Sequence, residues 1–203
     1  MNNAFEHLPR NPAADNNKQF IFEALNRLDL LSQNVLEIGS GPGQHGIHFC
    51  QLDSLLMWQP TEIKSKLPLT NDWYQVAQKE GISNYLCPLA FHIGTDPLPE
   101  VNFDLIYSAN VLHIISESLA KHLALQLSVN LQCGQKFVCY GPFKREGKFT
   151  TESNELFNQW LLSEGYGGIQ DLVDIPIWTN NQLKLIHHED MPANNFLVIY
   201  EKQ

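Results

Sequence analysis

Apolar positions along this chain repeat with two alternating periods. Phe20, Ile21, Ala24, Leu25, Leu28 and Leu31 recur at helical spacing and predict a helix over Asn16 to Leu31, with Asp15 as its N-cap. The short apolar run Asn34–Ile38 predicts a strand that ends in a glycine-rich turn. Helical spacing returns over Gln44–Leu52 and Leu69–Glu80, the second closed by Gly81, with a strand at Leu55–Gln59 between them. Tyr85–Leu89 and Phe103–Ser108 read as strands. Leu119, Leu123, Leu127 and Leu131 mark another helix, and Lys136–Tyr140 a strand bounded by Gly134 and Gly141-Pro142. Helices are expected near Ser153–Ser163 and Ile169–Trp178. Alternating apolar residues predict final strands at Leu183–His188 and Asn195–Glu201.

Strands that alternate with helices imply an α/β fold: a doubly wound, mostly parallel sheet with helices on both faces. The last two strands are joined only by Glu189–Asn194, too short for a parallel crossover, so they should form an antiparallel hairpin. The 203 residues suit a single domain over 1–203, and 43% hydrophobic with 17% charged residues is a globular balance.

A net charge of −9 sets the surface against phosphate backbones and anionic lipid, so neither nucleic acid nor membrane is an expected partner. Lys144, Arg145 and Lys148 form the one basic cluster. Cys50, Cys87, Cys133 and Cys139 show no C-x-x-C spacing and lie in apolar stretches, which predicts buried, reduced thiols. Met1–Arg10 lacks the apolar centre of a signal peptide, and no apolar run approaches the ~20 residues of a membrane helix. A cytoplasmic location is expected.

The chemistry concentrates in Val35-Leu36-Glu37-Ile38-Gly39-Ser40-Gly41-Pro42-Gly43-Gln44-His45-Gly46. Ligands of open α/β sheets bind outside the carboxyl ends of strands, where glycines let backbone approach them. Two cofactor readings compete. Gly41-x-Gly43-x-x-Gly46 matches the dinucleotide fingerprint. Counted from Gly39, however, the third fingerprint position is Gln44, and Glu37 puts an acid beside the turn. An acid there suits an ammonium better than a pyrophosphate. Glu62 stands 23 positions beyond Gly39, where an acid can accept ribose hydroxyls. His92 follows the third predicted strand and could offer an acceptor to an adenine amino group.

Glu-x-Gly-x-Gly-x-Gly resembles motif I of class I S-adenosylmethionine (SAM)-dependent methyltransferases. Further segments resemble one family among them, the uncharacterised methyltransferase-like protein 26 family built on the domain of unknown function 938. They are Pro12–Lys18, Val35–His45, Trp58-Gln59-Pro60, Asn110–Ile114, Tyr140–Lys144, Gly168–Leu172 and Met191–Asn195, in order across nearly the whole chain. The resemblance implies a Rossmann-like seven-stranded sheet with residues 1–31 as an N-terminal helical cap. It also implies SAM as cofactor, with S-adenosylhomocysteine as product. Glu37, Gly39, Ser40, Gly41, Gly43, Gln44, Glu62, His92 and Asn110 would contact the cofactor. The chain departs from the family at three places: His92 where Asp is usual, Asn16 for Arg, and Gly46 for Ala.

Methyl transfer from a sulfonium is an in-line displacement, so the protein mainly aligns the acceptor and excludes water. A small-molecule acceptor is expected beyond the fourth and fifth strands, near Asn17, Lys18, His113, Tyr140, Pro142, Phe143, Asn194 and Asn195. His113 is the first candidate for a general base, with Asn110 and Tyr140 beside it as positioning or catalytic groups. His45 and His48 lack a third partner at ligand spacing, so no metal is expected. Ser40 sits outside a G-x-S-x-G elbow, and no P-loop motif occurs. Two rivals stay open: an NAD(P)-linked oxidoreductase using the same turn, and a SAM-binding module without chemistry.

Overall fold

The computed structural model describes residues 4–31 and 33–203, so the reading of the first three residues lies outside it. Seven strands form one mixed sheet in the order β3-β2-β1-β4-β5-β7-β6. These are β1 (Asn34–Ile38), β2 (Met57–Glu62), β3 (Leu89–Ala90), β4 (Leu105–Ala109), β5 (Lys136–Gly141), β6 (Leu183–Met191) and β7 (Asn195–Lys202). The helices are α1 (Pro12–Arg27), α2 (Gln44–Leu52), α3 (Leu67–Lys79), α4 (Glu117–Asn130), α5 (Glu152–Ser163) and α6 (Asp174–Trp178). β1 lies parallel to both β2 and β4, whereas β7 runs antiparallel to β5 and β6. This is the expected α/β fold with its C-terminal hairpin. The strand order reverses at β1, the switch point where such sheets bind ligands. Among the described residues no helix is long and apolar enough to cross a membrane.

The chain divides into two compact units: residues up to His92 with Pro99–Tyr107, and Ile93–Leu98 with Ser108–Gln203. The first is built on an aromatic core beneath β1. Phe49 and Trp58 meet edge to face at 5.3 Å, as do Trp58 and Tyr107 at 5.3 Å. In the second, Phe137 stacks on Tyr200 at 6.3 Å, and the Tyr200 hydroxyl donates to Leu172 O at 3.0 Å.

Several expectations are corrected. α1 begins earlier, because Asn11 accepts from Ala13 N at 3.0 Å and Pro12 pre-sets the first turn. Asp15 sits inside that turn, bonded to Arg10 and Lys18, and is not the cap. The helix stops before Leu31 because Asp29 turns left-handed at φ 54°.

The predicted strand Tyr85–Leu89 breaks into a bridge between Trp58 and Tyr85 and the two-residue β3. Pro60 and Pro88 have no N–H to give the ladder. The Gln59 side-chain amide donates instead to Cys87 O at 2.7 Å and Pro60 O at 3.2 Å.

Ile169–Val173 is not helical. Lys144 N donates to Gln170 O at 2.8 Å and Leu172 N to Lys144 O at 3.1 Å, so tertiary pairing overrides the apolar spacing. β6 runs on to Met191, past the predicted end at His188, because Glu189, Asp190 and Met191 pair with β7. Cys50 and Cys139 are buried, but Cys87 and Cys133 are exposed.

Candidate functional site

Backbone geometry makes the first site. β1 ends at Ile38, and the chain then doubles back through Gly39 (φ 74°), Gly41 (φ 56°) and Gly43 (φ 102°) into α2. The turn is fastened to β2. Gly39 N and Ser40 N donate to Thr61 O at 3.2 and 2.9 Å, and Thr61 N donates to Ser40 Oγ at 3.1 Å. Glu62 closes the arrangement: its Oε2 accepts Gly41 N at 2.8 Å and its Oε1 accepts Ile63 N at 2.8 Å. From α3, the buried Thr70 hydroxyl donates to Gly41 O at 2.6 Å. The Gly41 peptide is therefore held at both ends.

The glycines divide by what faces them. A Cβ on Gly41 would meet no atom within 4 Å, so its bare face borders open space. A Cβ on Gly43 would strike the Tyr85 hydroxyl, and one on Gly46 would strike the Trp58 ring and stand 2.8 Å from Tyr85. Gly43 and Gly46 thus serve close packing on the core, and of these three glycines it is Gly41 that presents backbone to a vacant space. The buried Tyr85 hydroxyl beneath the turn has no hydrogen-bond partner among the described residues.

The two predicted acids take different places. Glu62 stands at the tip of β2, 7% exposed, against the Gly41 amide. Glu37 is 1% exposed and accepts the Trp58 indole N–H at 2.8 Å. Burial raises its carboxyl to about 7, although hydrogen bonds from Ser40 and Trp58 draw it down. At neutral pH it sits near its midpoint, ready to respond to a positive charge.

The N-terminal segment straps onto the same unit. Asn11 N donates to Gln44 Oε1 at 2.6 Å, and Gln44 Nε2 returns a bond to Asn11 O at 3.2 Å. Trp73 Nε1 donates to Pro9 O at 3.0 Å, and Phe5 stacks on the Trp73 ring at 5.0 Å. Asn17 Oδ1 lies 2.7 Å from His45 Nε2. Burial holds His45 down at about 3, so the ring is neutral and donates its Nε2 proton to that amide oxygen. Lys18 and Arg10 both grip Asp15, and the Arg10 bond is the main cause holding that carboxyl far below its ordinary range. Asn17, Lys18 and Gln44 are thereby engaged in building the strap. Thr61, Thr70 and Trp73 complete this frame and were not foreseen. Each is an unremarkable residue in sequence, and only its partner reveals its part.

The second unit holds the other candidates. Asn110 follows β4 in the left-handed region at φ 58°, which Asn tolerates, and its N–H donates to Tyr140 O at 2.8 Å. His113 is 7% exposed, and burial lowers its imidazole to about 4. A Cβ on Gly141 would lie 3.6 Å from His113 Nδ1 and 3.7 Å from Asn110 Oδ1, so these polar groups converge on the end of β5. Asn195 Nδ2 donates to the Tyr140 hydroxyl at 3.2 Å. Pro142 and Phe143 are buried behind them, and Asn194 is exposed, its carbonyl accepting Asn154 Nδ2 at 3.0 Å.

A cavity of about 300 Å³ opens elsewhere in this unit between Lys144, Asn158, Gln170, Asp171 and Asp174. Two of its acids are committed to backbone: Asp171 accepts Gly147 N at 2.6 Å, and Asp174 accepts Asp171 N at 2.6 Å. His92 is exposed two positions beyond β3.

Known proteins resemble this chain in sequence profile and in fold. The sequence profile of a family described as "protein of unknown function (DUF938)" matches residues 9–202. The fold is similar to an O-methyltransferase family 2 protein from Planctomyces limnophilus in complex with apigenin, at TM-score 0.72 and 17% identity over 92% of this chain and 62% of that one. It is also similar to human N-acetylserotonin methyltransferase in complex with SAM, at TM-score 0.71 and 16% identity over 92% of this chain and 51% of that one. PigF with SAH aligns at TM-score 0.71 and 16% identity, over 94% of this chain and 59% of PigF. The chain spans between half and two thirds of the length of these structures.

Proposed function

The chain belongs to the DUF938 family, and on that premise we propose that it is a SAM-dependent methyltransferase acting on a small-molecule acceptor. The observation that carries this reading is Gly41. Its peptide is fixed by Glu62 and Thr70, and its missing side chain fronts open space at the switch point of the sheet. The residues present fit the cofactor. The free lone pairs of Glu62 suit ribose hydroxyls, and Glu37 suits the methionine ammonium. The backbone of Gly39, Ser40 and Gly41 approaches without side chains in the way. A buried acid under the turn opposes a dinucleotide pyrophosphate.

Bound SAM supplies an electrophilic methyl group and its own leaving group. The remaining work falls to this chain's residues. Asn110 and Tyr140 orient the acceptor, and neutral His113 takes its proton if the acceptor must lose one. Residues 1–203 on this reading act as one domain with residues 1–31 as cap.

Isothermal titration with SAM tests it. The wild type should bind and Gly41→Val should not. No heat and no thermal shift at millimolar SAM would remove the reading.

A second reading, SAM binding without chemistry, is favoured by one observation. An imidazole held near 4 is a weak base. Transfer of labelled methyl to any metabolite in an extract decides against it.

A further inference from the structure

The cavity of about 300 Å³ in the second unit is walled by polar groups that the fold uses only in part. Asn158 and Gln170 line it at 9% and 7% exposure. Each spends one end of its amide on the backbone. Asn158 Oδ1 accepts Ile169 N at 2.8 Å, and Gln170 Nε2 donates to Gly168 O at 3.1 Å. The other ends, Asn158 Nδ2 and Gln170 Oε1, have no protein partner among the described residues. Both atoms keep accessible surface, so they meet the cavity rather than packed protein. Amide ends withdrawn from bulk water are costly to leave unmet, and such a place suits a polar ligand.

The charged groups of the wall are unevenly matched. Both Asp171 oxygens are taken by backbone, from Gly147 N at 2.6 Å and Val173 N at 3.1 Å. Asp174 Oδ2 accepts Asp171 N at 2.6 Å, which leaves Oδ1 without a partner among the described residues. Glu117 is exposed at the edge, where α4 begins. Burial raises the Asp174 carboxyl, the Asp171 bond draws it down, and the charges of Asp171 and Glu117 push it up again. Against these three acids the wall sets one cation, Lys144. Its ammonium lies over the Phe149 ring at 4.9 Å and forms no ion pair among the described residues.

We infer that this cavity is a binding site for a free basic amino acid. The carboxylate of the ligand lies at Lys144 Nζ and Asn158 Nδ2, and its cationic groups lie at Asp174 Oδ1, Glu117 and Gln170 Oε1. The site shares no residue with the glycine turn, and the inference holds whether or not the chain transfers a methyl group. The wall rules out simpler occupants one by one. Among the described residues no three acids converge closely enough to hold a metal ion, so the excess negative charge calls for an extended cation. An inorganic anion would face three carboxylates for one ammonium. A polyamine would leave the two donors, Lys144 Nζ and Asn158 Nδ2, with nothing to accept from them. A basic amino acid meets the donors with its carboxylate and the acids with two positive groups, in charge-assisted hydrogen bonds. Ile169, 3% exposed, and Leu162 supply apolar wall for its methylene stem. A Cβ on Gly147 would meet no atom within 4 Å, so the wall is open beside Asp171.

The test is calorimetric titration of arginine into the full chain at low salt, with glutamate and Nα-acetylargininamide as comparison ligands. Arginine should bind and glutamate should not. Acetylargininamide keeps the guanidinium but lacks the free carboxylate and ammonium, and should bind about tenfold more weakly. Asp174→Asn keeps an oxygen for Asp171 N while removing the charge, and should weaken arginine by about tenfold. Lys144→Met should weaken arginine and leave acetylargininamide nearly unchanged. Far-UV circular dichroism and urea midpoints show whether these variants fold. Glu117→Gln lies at an exposed position, and a loss of about threefold there keeps the test decisive if either of the others unfolds. No heat with arginine overturns the site. Arginine affinity unmoved by Glu117→Gln and by a folded Asp174→Asn overturns it as well. Equal affinity for arginine and acetylargininamide overturns the free amino acid, because the side chain alone would then be recognised.

Discussion

The Gly41 amide donates to Glu62 Oε2 at 2.8 Å, tying the turn after β1 to the tip of β2. Two substitutions separate the parts of this link. Gly41→Val is expected to abolish SAM binding, because its side chain would occupy the open space and its backbone would be held at a left-handed φ of 56°. Glu62→Ala is expected to weaken SAM by about 1–3 kcal/mol through loss of charged hydrogen bonds. Titration calorimetry measures both, and unchanged affinity in the pair removes the proposed site.

Gly46→Ala should behave differently. The added methyl strikes the Trp58 ring, so unfolding free energy should fall by about 1–3 kcal/mol in a urea melt. The folded fraction should still bind SAM. A variant as stable as wild type would show that Trp58 yields without cost.

Glu37 gives a proton signature. Its folded carboxyl ionises at about 7 because burial disfavours the charge, against 4.5 ordinarily. An ammonium placed beside it would drive it to the charged form. SAM binding at pH 6 should therefore release a proton, visible as a dependence of binding heat on buffer ionisation enthalpy. Glu37→Gln should lose that dependence. A buffer-independent heat in the wild type contradicts the ammonium role. In the free protein the raised value has its own sign: the stability it confers is present below pH 4.5 and fades as pH climbs towards 7.

His45 works the other way. Its folded ring is held at about 3 by burial, against 6.5 ordinarily. The unfolded chain therefore takes up the proton first as pH falls. Stability from this residue is complete above pH 6.5 and is lost on the way down to 3. The stability advantage of wild type over His45→Gln should shrink across that window in denaturant titrations at fixed pH steps. A constant difference would show that the neutral ring is not what the Asn17 bond requires.

Much of the frame was legible because local chemistry and global pairing agree there. β1 and α2 have the predicted ends, since the glycine turn between them punctuates both. Glu62 was found by spacing from Gly39, and the structure brings it against Gly41. The failures have a common cause, in partners far along the chain. Ile169–Val173 has helical apolar spacing, but its backbone bonds go to Lys144. The Tyr85–Leu89 strand is broken by Pro60 of a neighbour as well as by its own Pro88. Asn11 outranks Asp15 as a cap because Pro12 follows it. The strap from Phe5 to Asn17 depends on Trp73, His45 and Gln44, none of which announces itself.

The divided duty of the glycines bears on how any saturation mutagenesis of 39–46 must be interpreted. A screen that scores only growth or turnover will mark Gly41, Gly43 and Gly46 alike as essential and draw too large a binding site. Cellular abundance measured alongside would sort them, with protein levels collapsing for replacements facing Tyr85 and Trp58 and falling less for small replacements at Gly41, which carry left-handed backbone strain but no clash. The footprint of the ligand is then the set of positions that lose affinity while the polypeptide persists.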